Sequence, residues 1–129
     1  MIVYLSVEQA LELHRALLAR FGGRGGLRDR GALEAAIARP AATFDGEDLY
    51  PDLAAKAAAL MHSLVMNHPF IDGNKRVGVS VAELFVLVNG AEIATTDAEL
   101  EATTLAVARG ERDVQALAIW LRQRIAHRE

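Results

Sequence analysis

The chain has 129 residues, enough for one hydrophobic core and too few for two. Apolar residues make up 52% and aromatics only 5%, so Ala, Leu, Val and Ile must fill the interior, a composition suited to packed helices. Fourteen Lys and Arg against 17 Asp and Glu leave a net charge of −3 with no basic run to track nucleic acid, and the lack of cysteine removes disulfides, thiolate catalysis and Cys-based zinc sites.

The N-terminal stretch MIVYLSVEQA has neither the basic start nor the long apolar run of a signal peptide, and no later run is long enough to span a bilayer. The expected place of work is the cytoplasm, with no membrane partner. Ser6 and Gln9 are spaced as a capping box, and Val7, Ala10, Leu11, Leu17, Leu18 and Phe21 recur at helical intervals up to Gly22. GGRGGLRDRG is too rich in glycine for regular structure and lacks the Gly-Lys-Ser/Thr ending of a phosphate loop, so it reads as a shaped connector. Asp29 then caps a short helix through Leu33 and Ile37 that Pro40 stops, and a loop is expected from Pro40 to Pro51. Asp52 opens DLAAKAAALMHSLVMNH, apolar almost all round and therefore expected in the middle of the fold.

From about Asn74 a second apolar run continues to Asn89-Gly90, a pair that ends helices in the left-handed conformation. Thr96 with Glu99 forms another capping box for a helix reaching about Arg109, and Gly110 separates it from a last helix carrying Val114, Leu117, Trp120 and Leu121. With no repeat or linker, the expectation is one all-α domain over residues 1–129, a bundle of about six helices with little or no sheet. His14, His62 and His127 stand alone; His62 and His68, six apart, would face different ways on one helix, which argues against a paired metal site.

The polar chemistry is concentrated in NHPFIDGNKRVG, at the turn between the two central helices. Taken singly, His-Pro, Asp-Gly and Asn-Lys are ordinary turn and capping material. Together they put a base, a carboxylate, an amide and two cations into the nine residues His68–Arg76, at the start of a helix whose free amides and dipole attract phosphate. Gly73 allows close approach, Lys75 and Arg76 supply donors to the anion, and Asn74 can orient it. Asp72 is placed to hold Mg²⁺ with substrate phosphates, and a neutral His68 can take a proton from an incoming hydroxyl. Phe70 reads as a core anchor for the turn. The parts describe a phosphoryl-type transferase.

HPFIDGNKR matches at every defined position the motif His-x-Phe-x-Asp/Glu-Gly/Ala-Asn-x-Arg of the Fic/Doc family. GGRGGLRDRGALEAAIARP, DLYPDLAAKAAAL and FVLVNG also resemble the death-on-curing branch, so the likeness spans most of the chain. The resemblance implies an all-helical fold with His68 as base on a target hydroxyl, Asp72 as Mg²⁺ ligand, and Asn74, Lys75 and Arg76 with the helix N-terminus as the phosphate site for ATP. It also separates two activities. Most Fic proteins have glycine where this chain has Lys75, which leaves room for the diphosphate in adenylyl transfer. Proteins of the branch with Asn-Lys-Arg turn the nucleotide round and pass the γ-phosphate of ATP to a threonine of translation elongation factor Tu. The expected function is therefore a toxin kinase held by a separate antitoxin whose C-terminal segment folds in a groove of this domain. The alternatives are an adenylyltransferase and a catalytically silent binding module. Thr43 to Glu47 in TFDGED is the nearest approach to the self-inhibitory motif of the family, but it ends on Asp48 and falls in the expected loop, so no self-inhibition is expected.

Overall fold

The computed structural model describes residues 1–128 and consists chiefly of six α-helices: α1 (Val7–Phe21), α2 (Arg30–Ala38), α3 (Leu53–Asn67), α4 (Asn74–Val88), α5 (Asp97–Ala108) and α6 (Val114–Arg122). A 3₁₀ turn at Arg39–Ala41 follows α2 and carries Pro40, so the proline changes the pitch of the chain where a plain stop was expected. The caps act as their chemistry dictates. Ser6 and Gln9 form the complete reciprocal box, and Asp29 and Asp52 accept the amides of Ala32 and Ala55. Thr96 makes only half of its box: it accepts the Glu99 amide, but the Glu99 carboxylate turns to the Thr95 hydroxyl, 2.9 Å away, and towards Arg124.

The six helices are accompanied by little sheet, as expected. Two small antiparallel pairs are present, β1 (Thr43–Phe44) with β2 (Glu47–Asp48), and β3 (Ala91–Ile93) with β4 (Ile125–His127). The first lies inside the expected loop, where Asp45 and Gly46 both take positive φ and close a two-residue hairpin. TFDGED therefore forms a hairpin and no helix.

Helix α3 sits at the centre, against α4 and α6 above all. Its Ala54, Ala57, Ala58, Leu60, Met61, Leu64 and Val65 are all buried, as its apolar circumference foretold. Gly78 sets its approach to α4, since a Cβ there would lie 2.8 Å from Val65 Cγ2. Lys56 is the exception in the core. At 1% exposure its ammonium donates to Asp48 at 3.0 Å, to the Tyr50 carbonyl at 2.6 Å and to the Pro40 carbonyl at 3.3 Å, which ties the hairpin to the central helix.

Candidate functional site

Residues 68–73 join the end of α3 to the start of α4, and their path is fixed from three sides. The glycine-rich connector after α1 runs beside them. There the Ile71 amide donates to the Gly26 carbonyl at 3.1 Å, while the Arg28 and Asp29 amides both donate to the Pro69 carbonyl, at 2.8 and 3.0 Å. From α1, His14 stacks on the buried Phe70 ring with centroids 3.8 Å apart, and its Nε2 lies 2.8 Å from the Asp72 carbonyl. A carbonyl only accepts, so this nitrogen carries the proton. From α4, the Asn74 side chain clips the loop: its Oδ1 accepts the Phe70 amide at 3.0 Å and its Nδ2 donates to the Phe70 carbonyl at 2.9 Å. This corrects the picture of an amide turned towards an anion, because both polar ends of Asn74 are engaged within the turn.

Two residues of the loop are exposed and polar. His68 ends α3 at φ 48 and ψ 58, the left-handed region that a side chain enters at a cost of about 1–2 kcal/mol. Such strain persists only where neighbours enforce it, and it gathers at functional positions. Asp72 accepts the Gly73 amide at 2.8 Å and the Arg24 amide at 3.1 Å. These bonds, that from Arg24 foremost, hold its carboxyl below the usual carboxylate range, so it is an anion at any physiological pH. Gly23 permits the contact, since at its φ of +119 a Cβ would lie 2.9 Å from Asp72 Oδ2.

Helix α4 begins differently from the rest. The other five α-helices start on Ser6, Asp29, Asp52, Thr96 and Asp113, each accepting an amide of the first turn. Helix α4 starts on Gly73 at φ +79, with no side-chain cap. Its first-turn amides are thus left for another acceptor, and an anion is what such an end attracts. Lys75 and Arg76 stand exposed beside them. Neither belongs to an ion pair among the described residues, and the Arg76 guanidinium lies 4.2 Å over the Phe21 ring.

These groups open onto a groove of about 540 Å³ between α1, α4 and α5. Asp72, Gly73, Lys75 and Arg76 form its charged end, and Leu17, Phe21, Val79, Leu100 and Leu105 give it apolar walls. Glu83, Asp97 and Glu101 line it too; burial, and then the charge of Asp97, raise the Glu83 carboxyl above its ordinary value. His68 does not line the groove. The structure therefore gathers four of the six expected site residues on one surface, sets His68 at the other end of the loop and turns Asn74 inward.

The Fic/DOC family model matches residues 4–86, which include α1, α3, the whole of this loop and all but the last two residues of α4. The chain belongs to the Fic/DOC family. It is 34% identical to a protein named Protein kinase doc from Escherichia phage P1 over 120 residues, covering 93% of this chain and 94% of the phage protein. It is 51% identical to Toxin Doc of Mycolicibacterium smegmatis over 74 residues, a stretch that spans 57% of each.

Among the described residues no helix is long and apolar enough to cross a membrane, and no three His, Cys, Asp or Glu side chains converge on a possible metal position. The sequence shows His14 as an isolated histidine and Arg28 as part of a connector, and neither position reveals its contact with the loop. Nothing near His14 in the chain marks it, and the GGRGGLRDRG segment had been separated from the motif by the whole of α2 and α3.

Proposed function

We propose that this Fic/DOC protein is a toxin that transfers the γ-phosphate of ATP to a threonine of elongation factor Tu in the cytoplasm, and that residues 1–129 act as one domain. The observation that carries this reading is the start of α4 without a side-chain cap, flanked by two cations, Lys75 and Arg76, that join no ion pair among the described residues. The name of the phage relative, a protein kinase, supports it.

The γ-phosphate lies against the α4 amides, where Lys75 and Arg76 stabilise charge on the transferring group. The threonine oxygen attacks phosphorus, an O–P bond forms, the β–γ bridging P–O bond breaks and ADP leaves. His68 takes the hydroxyl proton. Gly73 lets phosphate approach the backbone, and Asn74 contributes by holding the loop in shape.

The donor set fits Mg²⁺. Asp72 is an exposed anion beside the phosphate site, its two oxygens keep lone pairs beyond the two amide bonds they accept, and Mg²⁺ with nucleotides takes only one or two carboxylates. When bound, it would neutralise charge across the phosphates. Lys75 favours γ- over α-phosphate transfer, since its chain fills space that a diphosphate needs in adenylyl transfer. The partner that restrains the toxin is an antitoxin whose C-terminal segment folds as a helix in the groove.

The test supplies the protein with Mg²⁺, elongation factor Tu and ATP labelled at either the α- or the γ-phosphate. Label on the factor from the γ position alone, with a mass gain of one phosphate, is expected. Label from the α position with release of pyrophosphate would establish adenylyl transfer instead, and no label from either would leave a binding module.

A further inference from the structure

A helix that ends on a left-handed residue normally closes itself, because the amide of the next residue turns back to a carbonyl of the last turn. In α3 the left-handed residue is His68 and the next is Pro69, which has no N–H to give. That closing bond is therefore missing, and beyond the last turn the carbonyls of Asn67 and His68 both take donors from one side chain. Arg28 Nε donates to the His68 carbonyl and Nη2 to the Asn67 carbonyl, each at 2.6 Å. The two peptides on either side of the His68 Cα are thereby gripped by one planar fork, a geometry that arginine offers and lysine does not.

We propose that Arg28 is a positioning residue for His68: its guanidinium grips the peptides on both sides of the His68 Cα and holds His68 left-handed, so that the imidazole is presented to the reacting hydroxyl. The inference rests on the base role given to His68 above. Arg28 itself lies on the glycine-rich connector, and its backbone bond to Pro69, with that of Asp29, persists whatever side chain it carries. Changing the side chain therefore leaves the connector docked and releases only the Asn67 and His68 carbonyls. Nothing else in the structure compels a charged fork at this exposed position, since Arg28 joins no ion pair among the described residues.

The experiment compares the full chain with Arg28→Ala and Arg28→Lys in γ-phosphate transfer, and reads the ¹³Cα and ¹³Cβ shifts of His68, which report its φ. Arg28→Ala is expected to lower kcat at least tenfold with KM for ATP within twofold of wild type, to move the His68 shifts away from left-handed values, and to regain part of its rate with added methylguanidinium. Arg28→Lys, which keeps the charge and a single donor site, is expected to fall between the two, and it decides the matter should the alanine variant lose its helical circular dichroism. Wild-type kcat, a loss confined to KM, or unmoved His68 shifts would overturn the proposal. If the wild-type chain itself transfers no phosphate, the kinase reading fails, while the His68 shifts still decide whether Arg28 sets its conformation.

Discussion

His68 carries two burdens at once, since its imidazole is the proposed base and its backbone sits where glycine would be at ease. The two can be separated by substitution. His68→Ala and His68→Gly should both lose transfer by about a hundredfold or more, the usual contribution of a general base. Yet the glycine variant should be more stable than the alanine variant by about 1 kcal/mol, because alanine keeps the left-handed penalty. Denaturant unfolding of both measures this, and equal stabilities would mean that the turn imposes no strain. Transfer at the wild-type rate by either would remove His68 from the base role. The sequence displayed the residue types of this site because their chemistry is carried by side chains eight or fewer positions apart. It concealed what those side chains do to one another. Asn74 looked like an anion ligand, and its two bonds to Phe70 are visible only once the loop has folded back over four residues.

At the scale of elements, helix starts were the most legible feature, because a cap is a bond between residues three apart and needs no tertiary context. Asp52 shows how much more a cap can do once the chain folds. Besides the Ala55 amide it holds both nitrogens of the Arg122 fork, at 2.6 and 3.0 Å, joining the start of α3 to the end of α6. The Arg122 hydrogen bond is the largest cause of a carboxyl pKa below its ordinary value, and burial opposes it. A lowered folded-state pKa means that the stabilisation is present above the unfolded value, near 4, and is lost as pH falls through the folded one. Asp52→Ala should therefore cost about 1 kcal/mol at pH 7, mainly through the cap, since the half-exposed ion pair adds little in water. The gap between variant and wild type should narrow as the pH is taken below 4, which urea titrations across that range would show; a gap independent of pH would discard the share that depends on the Asp52 charge, the Arg122 bond foremost. Strands were less legible for the opposite reason. The β1–β2 hairpin had a local signal in Asp45-Gly46, but β3 finds its partner in β4 only after α5 and α6 have brought the chain back.

The groove belongs to the whole molecule, because α1, α4 and α5 each supply a wall and no segment of sequence contains it. Its charged end and its apolar length serve different occupants in the proposed function: phosphate beside Lys75 and Arg76, and an antitoxin helix along Leu17, Val79, Leu100 and Leu105. A change on the α5 wall should then separate poisoning from its control. Leu105 suits this purpose, being half-buried on α5 with Glu101 one turn before it. In Leu105→Lys the new ammonium pairs with Glu101 at the favourable i, i+4 spacing, so the helix is kept while a charge is laid across the apolar wall. Expressed alone, both the wild-type chain and this variant should arrest growth. Co-expression of the antitoxin should rescue cells carrying the wild type and fail to rescue cells carrying Leu105→Lys, a loss of binding that calorimetry on the purified pair would show as at least a tenfold rise in Kd. Rescue of both to the same degree would place the antitoxin elsewhere on the surface, and harmless expression of a chain active in transfer would remove the need for an antitoxin altogether.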